Sequence, residues 1–145
     1  MYYIYVKNMT IRKYTQKEHD DVIMASLEYY KVYWEKGCIV SFNPGNKQCH
    51  DIGGGNFPDI VVWTPNTKNG INHIIEEIET QESINFKKSE EWKKFSNIAT
   101  TFYLVVPRES YKKTEYILKT RDIGVTMLQY YYIDKDNKII FSSNK

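Results

Sequence analysis

The stretch Phe57-Pro58-Asp59-Ile60-Val61-Val62-Trp63, followed after a break by Ile71-Asn72-His73-Ile74-Ile75-Glu76-Glu77-Ile78-Glu79, decides the fold. Its two apolar runs flank Thr64-Pro65-Asn66-Thr67-Lys68-Asn69-Gly70, a segment rich in turn-forming residues. Folded as an antiparallel hairpin centred near Lys68, the runs bring Asp59 opposite Glu77. Directly opposed residues hold their Cβ atoms roughly 4.5–5.5 Å apart. Glu79 lies two positions beyond Glu77 and shares its face. Three carboxylates would then converge on an otherwise apolar sheet face. That arrangement is costly without a counter-charge, and a divalent cation is the usual remedy.

Working outward, the residues before the hairpin predict a short edge strand over Tyr2–Val6 and a helix from about Gln16 to Glu35. Thr15 has the character of an N-cap, with Glu18 at capping-box spacing, and Gly37 sits where a helix stops. Val22, Ser26, Tyr29 and Tyr33 mark one helix face, and Ile23, Leu27, Tyr30 and Trp34 the adjoining one. Cys38–Phe42 reads as the first core strand. Asn43-Pro44-Gly45-Asn46 is a turn, and a polar loop containing Gly53-Gly54-Gly55 runs to Asn56. The triple glycine lacks the Lys-Ser/Thr of a phosphate-binding P-loop and precedes no helix.

Beyond the hairpin, Thr80 or Ser83 can cap a second helix over about Glu82–Asn97, with Ile84, Trp92 and Phe95 on its apolar side. Thr101–Val106 is a near-continuous apolar run, as in a strand buried on both faces. A helix over about Glu109–Thr120, a strand over Val125–Ile133, a turn at Asp134–Asn137 and a short strand over Lys138–Phe141 complete the order. The expected class is α/β, a mixed central β-sheet flanked by helices, in a single domain over all 145 residues.

Composition narrows the functional classes. At 26% charged and 41% hydrophobic residues, the chain has the balance of a globular protein, not a disordered one. No apolar run approaches the ~20 residues that cross a bilayer. The first residues lack the basic, apolar and small-residue regions of a signal peptide, so an intracellular, cytoplasmic location is expected. Two cysteines, Cys38 and Cys49, make no disulfide framework. Cys49-His50-Asp51 has no second Cys/His pair at zinc spacing, and His50 reads as a surface loop residue. His19 is expected to be exposed, and His73 to end a strand without a role. The net charge of +2 excludes a histone-like binder, although Lys87, Lys88, Lys93 and Lys94 form a basic cluster just downstream of the acids. Of the abundant tyrosines, Tyr131 faces away from Tyr130 and Tyr132 and is expected to fill a core or an interface.

Pro-Asp at a strand start, acid-x-acid at the end of the next strand, and the order of the remaining elements resemble the PD-(D/E)xK nuclease superfamily, the restriction-endonuclease-like fold. The resemblance spans about Gln16–Ile133, including Val40-Ser41-Phe42-Asn43-Pro44-Gly45 and Phe102-Tyr103-Leu104-Val105-Val106-Pro107. It implies that Asp59 and Glu77 are ligands of Mg2+ or Mn2+, with the carbonyl of Ile78 as a further ligand. It also implies hydrolysis of a nucleic-acid phosphodiester, DNA before RNA, leaving 5′-phosphate and 3′-hydroxyl, by a homodimer with no membrane association.

The sequence departs from the family pattern at Glu79, where lysine is expected. Three arrangements compete. Glu79 substitutes directly, which is preferred; or the lysine has moved onto the following helix as Lys87 or Lys88; or the register shifts so that Glu79 is the ligand and Gln81 the third residue. A site that has lost activity is a fourth. Glu18 is the preferred helix acid to approach the site, in competition with Asp20 and Asp21 and with an ordinary solvated helix start. Two rival functions remain beside the nuclease. One is a non-catalytic DNA- or RNA-binding module. The other is a regulatory protein working through protein contacts, for which Asp59 and Glu77 would lie far apart.

Overall fold

The computed structural model describes residues 4–36, 38–43, 57–64 and 72–142. Its centre is a six-stranded mixed sheet whose strands lie in chain order. Strands β1 (Ile39–Phe42), β2 (Ile60–Thr64) and β3 (Asn72–Ile78) form an antiparallel meander. From β3 the sheet continues in parallel through β4 (Thr101–Pro107) to β5 (Met127–Ile133), and β6 (Ile139–Phe141) closes it antiparallel to β5. Parallel neighbours need crossover connections. These are α3 (Ser89–Ile98), between β3 and β4, and α4 (Tyr111–Thr120), between β4 and β5. The chain is thus α/β, as its pattern predicts.

Two apolar layers enclose the sheet. Ile75, Phe102, Leu104 and Val106 pack with Ile84, Trp92 and Phe95 from the α3 region and with Ile117 and Leu118 of α4. Ile60, Val62, Ile78, Val105 and Tyr131 pack with Val22, Ile23 and Tyr30 from α1 (Ile4–Leu27) and the turn after it. The central strand β4 contributes alternately to both layers, which is why its sequence reads as continuously apolar. No helix of the described residues is long and apolar enough to cross a membrane.

Several expected boundaries are corrected. Residues Ile4–Val6 are helical, not an edge strand, while Tyr2 and Tyr3 lie outside the described residues. The run Ile4-Tyr5-Val6 favours strands by propensity, but Met1–Lys36 contains no proline or glycine to stop a helix growing cooperatively from its docked portion. Thr15 is therefore inside α1. The single helix expected to reach Glu35 is divided by a 3-10 turn, Glu28–Tyr30, before the short α2 (Lys31–Glu35).

The expected helix over Glu82–Asn97 is also divided. A 3-10 turn at Gln81–Ser83 comes first, and α3 begins only at Ser89. Thr80 and Ser83 do cap, but they cap this 3-10 turn and not α3: the two form a reciprocal capping box, in which the Thr80 N–H donates to Ser83 Oγ at 3.0 Å. The turn leading into α3 is capped instead by Asn85, whose Oδ1 accepts the Lys88 N–H at 2.7 Å. Downstream, a 3-10 turn (Arg108–Ser110) leads into α4.

Asn85→Ala leaves that N–H without its acceptor and should cost about 1 kcal/mol, lowering the thermal midpoint by about 4 °C. Asn85→Ser, which can still cap, should retain most of the stability. Melting curves followed by circular dichroism check both.

Candidate functional site

The hairpin register pairs Ile60 with Glu76, Val61 with Ile75 and Trp63 with His73. One step further outward, Asp59 faces Glu77, and the two residues interlock. The Asp59 N–H donates to Glu77 Oε1 at 2.8 Å, and the Ile78 N–H donates to Asp59 Oδ2 at 2.7 Å. Each carboxylate is thereby held by the other strand's end. The residues are 8% and 3% exposed, and Glu79 is 2% exposed. This overturns the reading in which Asp59 and Glu77 are separate surface acids.

Glu79 leans toward the α3 side. Its Oε1 accepts the Ser83 hydroxyl at 2.7 Å, and its Oε2 accepts the Trp92 indole N–H at 2.6 Å. Lys88, in the turn before α3, brings its Nζ to 3.9 Å from Glu79 Oε1 and to 3.0 Å from Glu91 Oε1. Lys87 is exposed, as is Gln81 on the 3-10 turn.

Helix α1 reaches the same place from the other side of the sheet. The Tyr131 hydroxyl donates to Glu18 Oε2 at 2.5 Å and lies 3.2 Å from the Glu79 carbonyl oxygen. His19 Nε2 lies 3.1 Å from Asp59 Oδ1, and its Nδ1 is 3.5 Å from Asp20 Oδ1. Of the three helix acids, Glu18 makes the link to the site through Tyr131. Asp20 turns to His19 and to Gln16, and Asp21 pairs with Lys17. His19 is not exposed as expected: its side chain is only 20% accessible and touches the central aspartate. Glu18 and His19 stand one helical turn before the buried Val22 and Ile23, so the apolar stripe already contained the signal. Ser83 and Trp92 carried no such signal, because their partner is a carboxylate on a different element.

Glu76 points to the opposite face of β3, where Ser26 Oγ donates to it and Tyr30 OH donates at 3.1 Å. His73 stands four positions before Glu77 on β3, about 13 Å away along the strand. Cys49, His50, Asp51 and the triple glycine lie outside the described residues.

Burial and crowding set the electrostatics. Burial, then the charges of Asp59, Glu79 and Glu91, push the Glu77 carboxyl well above its ordinary range, against the opposing pull of Lys88. Burial raises Glu79 to about 7, although the charge of Lys88 and the hydrogen bonds from Trp92 and Ser83 oppose it and Asp59 adds to it. For His19, burial alone would lower the value. The hydrogen bond and charge of Asp59, aided by Asp20 and Glu79, outweigh it and raise the imidazole to about 9. The carboxylate cluster thus draws one cationic side chain from α1 and one from the turn before α3.

Among the described residues, no group of three His, Cys, Asp or Glu side chains is arranged to hold a metal ion. Mg2+ needs only one or two protein carboxylates, with water and substrate oxygens in its remaining positions, and Asp59 and Glu77 are the adjacent pair that could supply them. His19 stands beside Asp59 and Lys88 beside Glu79, so positive charge is favoured around the cluster. Compared with known proteins, the chain matches no family model, no curated protein and no solved structure.

The raised values fix a pH dependence. A group whose folded pKa is raised stabilises the fold below its unfolded value and loses that contribution as pH climbs through the folded value. For Glu77 and Glu79 the loss begins above 4.5 and, for Glu79, runs through about 7; for His19 it runs from 6.5 through about 9. In EDTA, the urea midpoint should therefore fall steadily between pH 5 and pH 9. Glu77→Gln should flatten this slope and be more stable than wild type at pH 8. A wild-type midpoint that rises over the interval would contradict the electrostatics.

Proposed function

We propose that the protein is a metal-dependent nuclease with a restriction-endonuclease-like fold, hydrolysing phosphodiester bonds of nucleic acid, DNA before RNA. The observation that carries this reading is the interlock of Asp59 and Glu77 across the ends of β2 and β3. It supports a pair of carboxylates that are pre-positioned beside each other and buried. Asp59 and Glu77 would hold Mg2+ or Mn2+, with the carbonyl of Ile78 as the third protein donor. The ion would supply Lewis-acid stabilisation of charge at the scissile phosphate and a lowered barrier for attack by water.

The protein's own contribution is orientation. The Ile78 N–H and His19 fix the two oxygens of Asp59, and the Asp59 N–H fixes one oxygen of Glu77. Carboxylates held in this way keep their geometry when an ion and a phosphate arrive. Glu18, joined to Tyr131, anchors the helix that carries His19. Cutting both strands of a duplex in one encounter usually takes two such sites, so the reading includes a homodimer, acting inside the cell where its substrate is.

The absence of lysine from position 79 favours one second reading, a nucleic-acid-binding protein that has the fold without the reaction. Cleavage assays on plasmid, single-stranded and four-way-junction DNA with Mg2+ or Mn2+ separate the two. For the nuclease, Asp59→Ala and Glu77→Ala should each lower cleavage at least about a hundredfold and weaken Mn2+ uptake in calorimetry. Metal uptake without cleavage of any substrate would favour the binding protein. No uptake at millimolar Mn2+ would sink the nuclease reading.

A further inference from the structure

Resting on the reading that nucleic acid is the substrate, we propose that Phe86, Tyr116 and Arg121 form a stacking platform for unpaired bases, so that the protein selects single-stranded over fully paired nucleic acid. Phe86 and Tyr116 are large apolar side chains left 40% and 64% exposed. They come from different elements, the turn before α3 and the middle of α4, and meet edge to face with ring centroids 6.2 Å apart at 84°. Arg121, just past the end of α4, holds its guanidinium 5.6 Å from the Phe86 ring centroid and its Nη2 3.5 Å from the Phe86 carbonyl oxygen. A lone exposed aromatic is ordinary. Two rings and a guanidinium held against one another at the surface are the groups on which bases stack.

Charge selects the occupant. The α4 positions one turn before and after Tyr116 are Lys112, Lys113, Lys119 and Thr120, all exposed and none acidic. Lys87 is exposed beside Phe86. Among the described residues, no carboxylate pairs with these lysines or with Arg121. An apolar protein partner would cover the rings and leave the cations without counter-charges. A polyanion with flat, accessible π-faces satisfies both. A duplex keeps its base faces inside the stack, whereas a single strand offers phosphates and open bases together.

The platform adjoins the carboxylate cluster. The turn that carries Phe86 is tied to Glu79 at both ends, by the Ser83 hydroxyl at 2.7 Å and by Lys88 Nζ at 3.9 Å. Phe86 is two residues from Lys88, a span of at most about 7 Å along the backbone. A strand with its phosphate at Asp59 and Glu77 therefore passes the rings within a few nucleotides.

Fluorescence anisotropy in EDTA tests this with labelled oligothymidylate of about 15 nucleotides and a blunt duplex of the same length. The single strand should bind at least about tenfold more tightly than the duplex. Phe86→Ala and Tyr116→Ala should each weaken single-strand binding about tenfold and change duplex binding less than about twofold. Arg121→Gln should weaken single-strand binding severalfold. Tyr116→Trp should retain affinity and Tyr116→Leu lose it, since leucine keeps apolar area but has no π-face. Melting curves confirm the fold of each variant. Wild-type affinity in Tyr116→Leu, equal losses on single strand and duplex, or no single-strand binding would each overturn the platform. A dimer abolished by Tyr116→Ala, with single-strand affinity unchanged, would make the surface an interface between copies and also overturn it. In any of these cases, plasmid cleavage that is lost in Asp59→Ala leaves the nuclease standing. Single-strand binding with the expected losses, but without metal uptake or cleavage, would keep the platform and remove the nuclease reading.

Discussion

The reciprocal hydrogen bonds between Asp59 and the end of β3 are the constraint on which the rest of the site depends. Backbone N–H groups at a strand end have no ladder partner unless the neighbouring strand continues. Here the Asp59 and Ile78 amides are satisfied by carboxylates from the facing chain. The hairpin thus closes its last step with side chains instead of carbonyl groups. That closure fixes the separation of two acids more tightly than strand pairing alone, since each acid is both a ladder substitute and a charge. Removing either one would loosen the other.

The location follows from the sheet. Strand β3 is antiparallel to β2 and parallel to β4, so its carboxyl end lies where the two pairing modes meet. In open α/β sheets, crevices form outside the carboxyl ends of parallel strands, where connections diverge to the two faces. Here the chain leaves β3 toward α3 on one face, while α1 covers the other. Side chains from both layers therefore reach the carboxylate cluster: His19 from α1 meets Asp59, and Lys88 from the turn before α3 meets Glu79. Burying several acids together is unfavourable for folding, and two paired cations offset it only in part. A protein that retains such a cluster retains it at the expense of stability.

Legibility varied with the kind of interaction. The hairpin register was readable because Pro58-Asp59, the turn-rich segment and Glu77 are linked by simple counting along two strands. The α/β order and the doubly buried β4 were readable from apolar patterning. The start of α1 was not, because strand-favouring residues at Ile4–Val6 were absorbed into a helix with nothing to end it. The break before α3 was hidden because Asn85 competes as a cap inside a helix-compatible stretch. Glu18 was identified as a helix acid near the site, but its tie to Tyr131 spans most of the chain and no local pattern encodes it. His19 was misjudged because histidine on a polar helix start usually faces water. Its partner Asp59 lies on a strand far away in sequence.

Position 79 is the instructive departure. Its side chain necessarily shares the face of Glu77 and so meets the α3 layer, where Trp92 presents an indole N–H and Ser83 a hydroxyl. Both are donors there. A carboxylate satisfies them; an ammonium, itself only a donor, would leave the buried indole N–H without an acceptor. Glu79, Ser83 and Trp92 are therefore a matched set, and the acid at 79 is what its neighbours demand. The same acid then provides the negative charge that Lys88 Nζ, on the turn before α3, approaches to 3.9 Å.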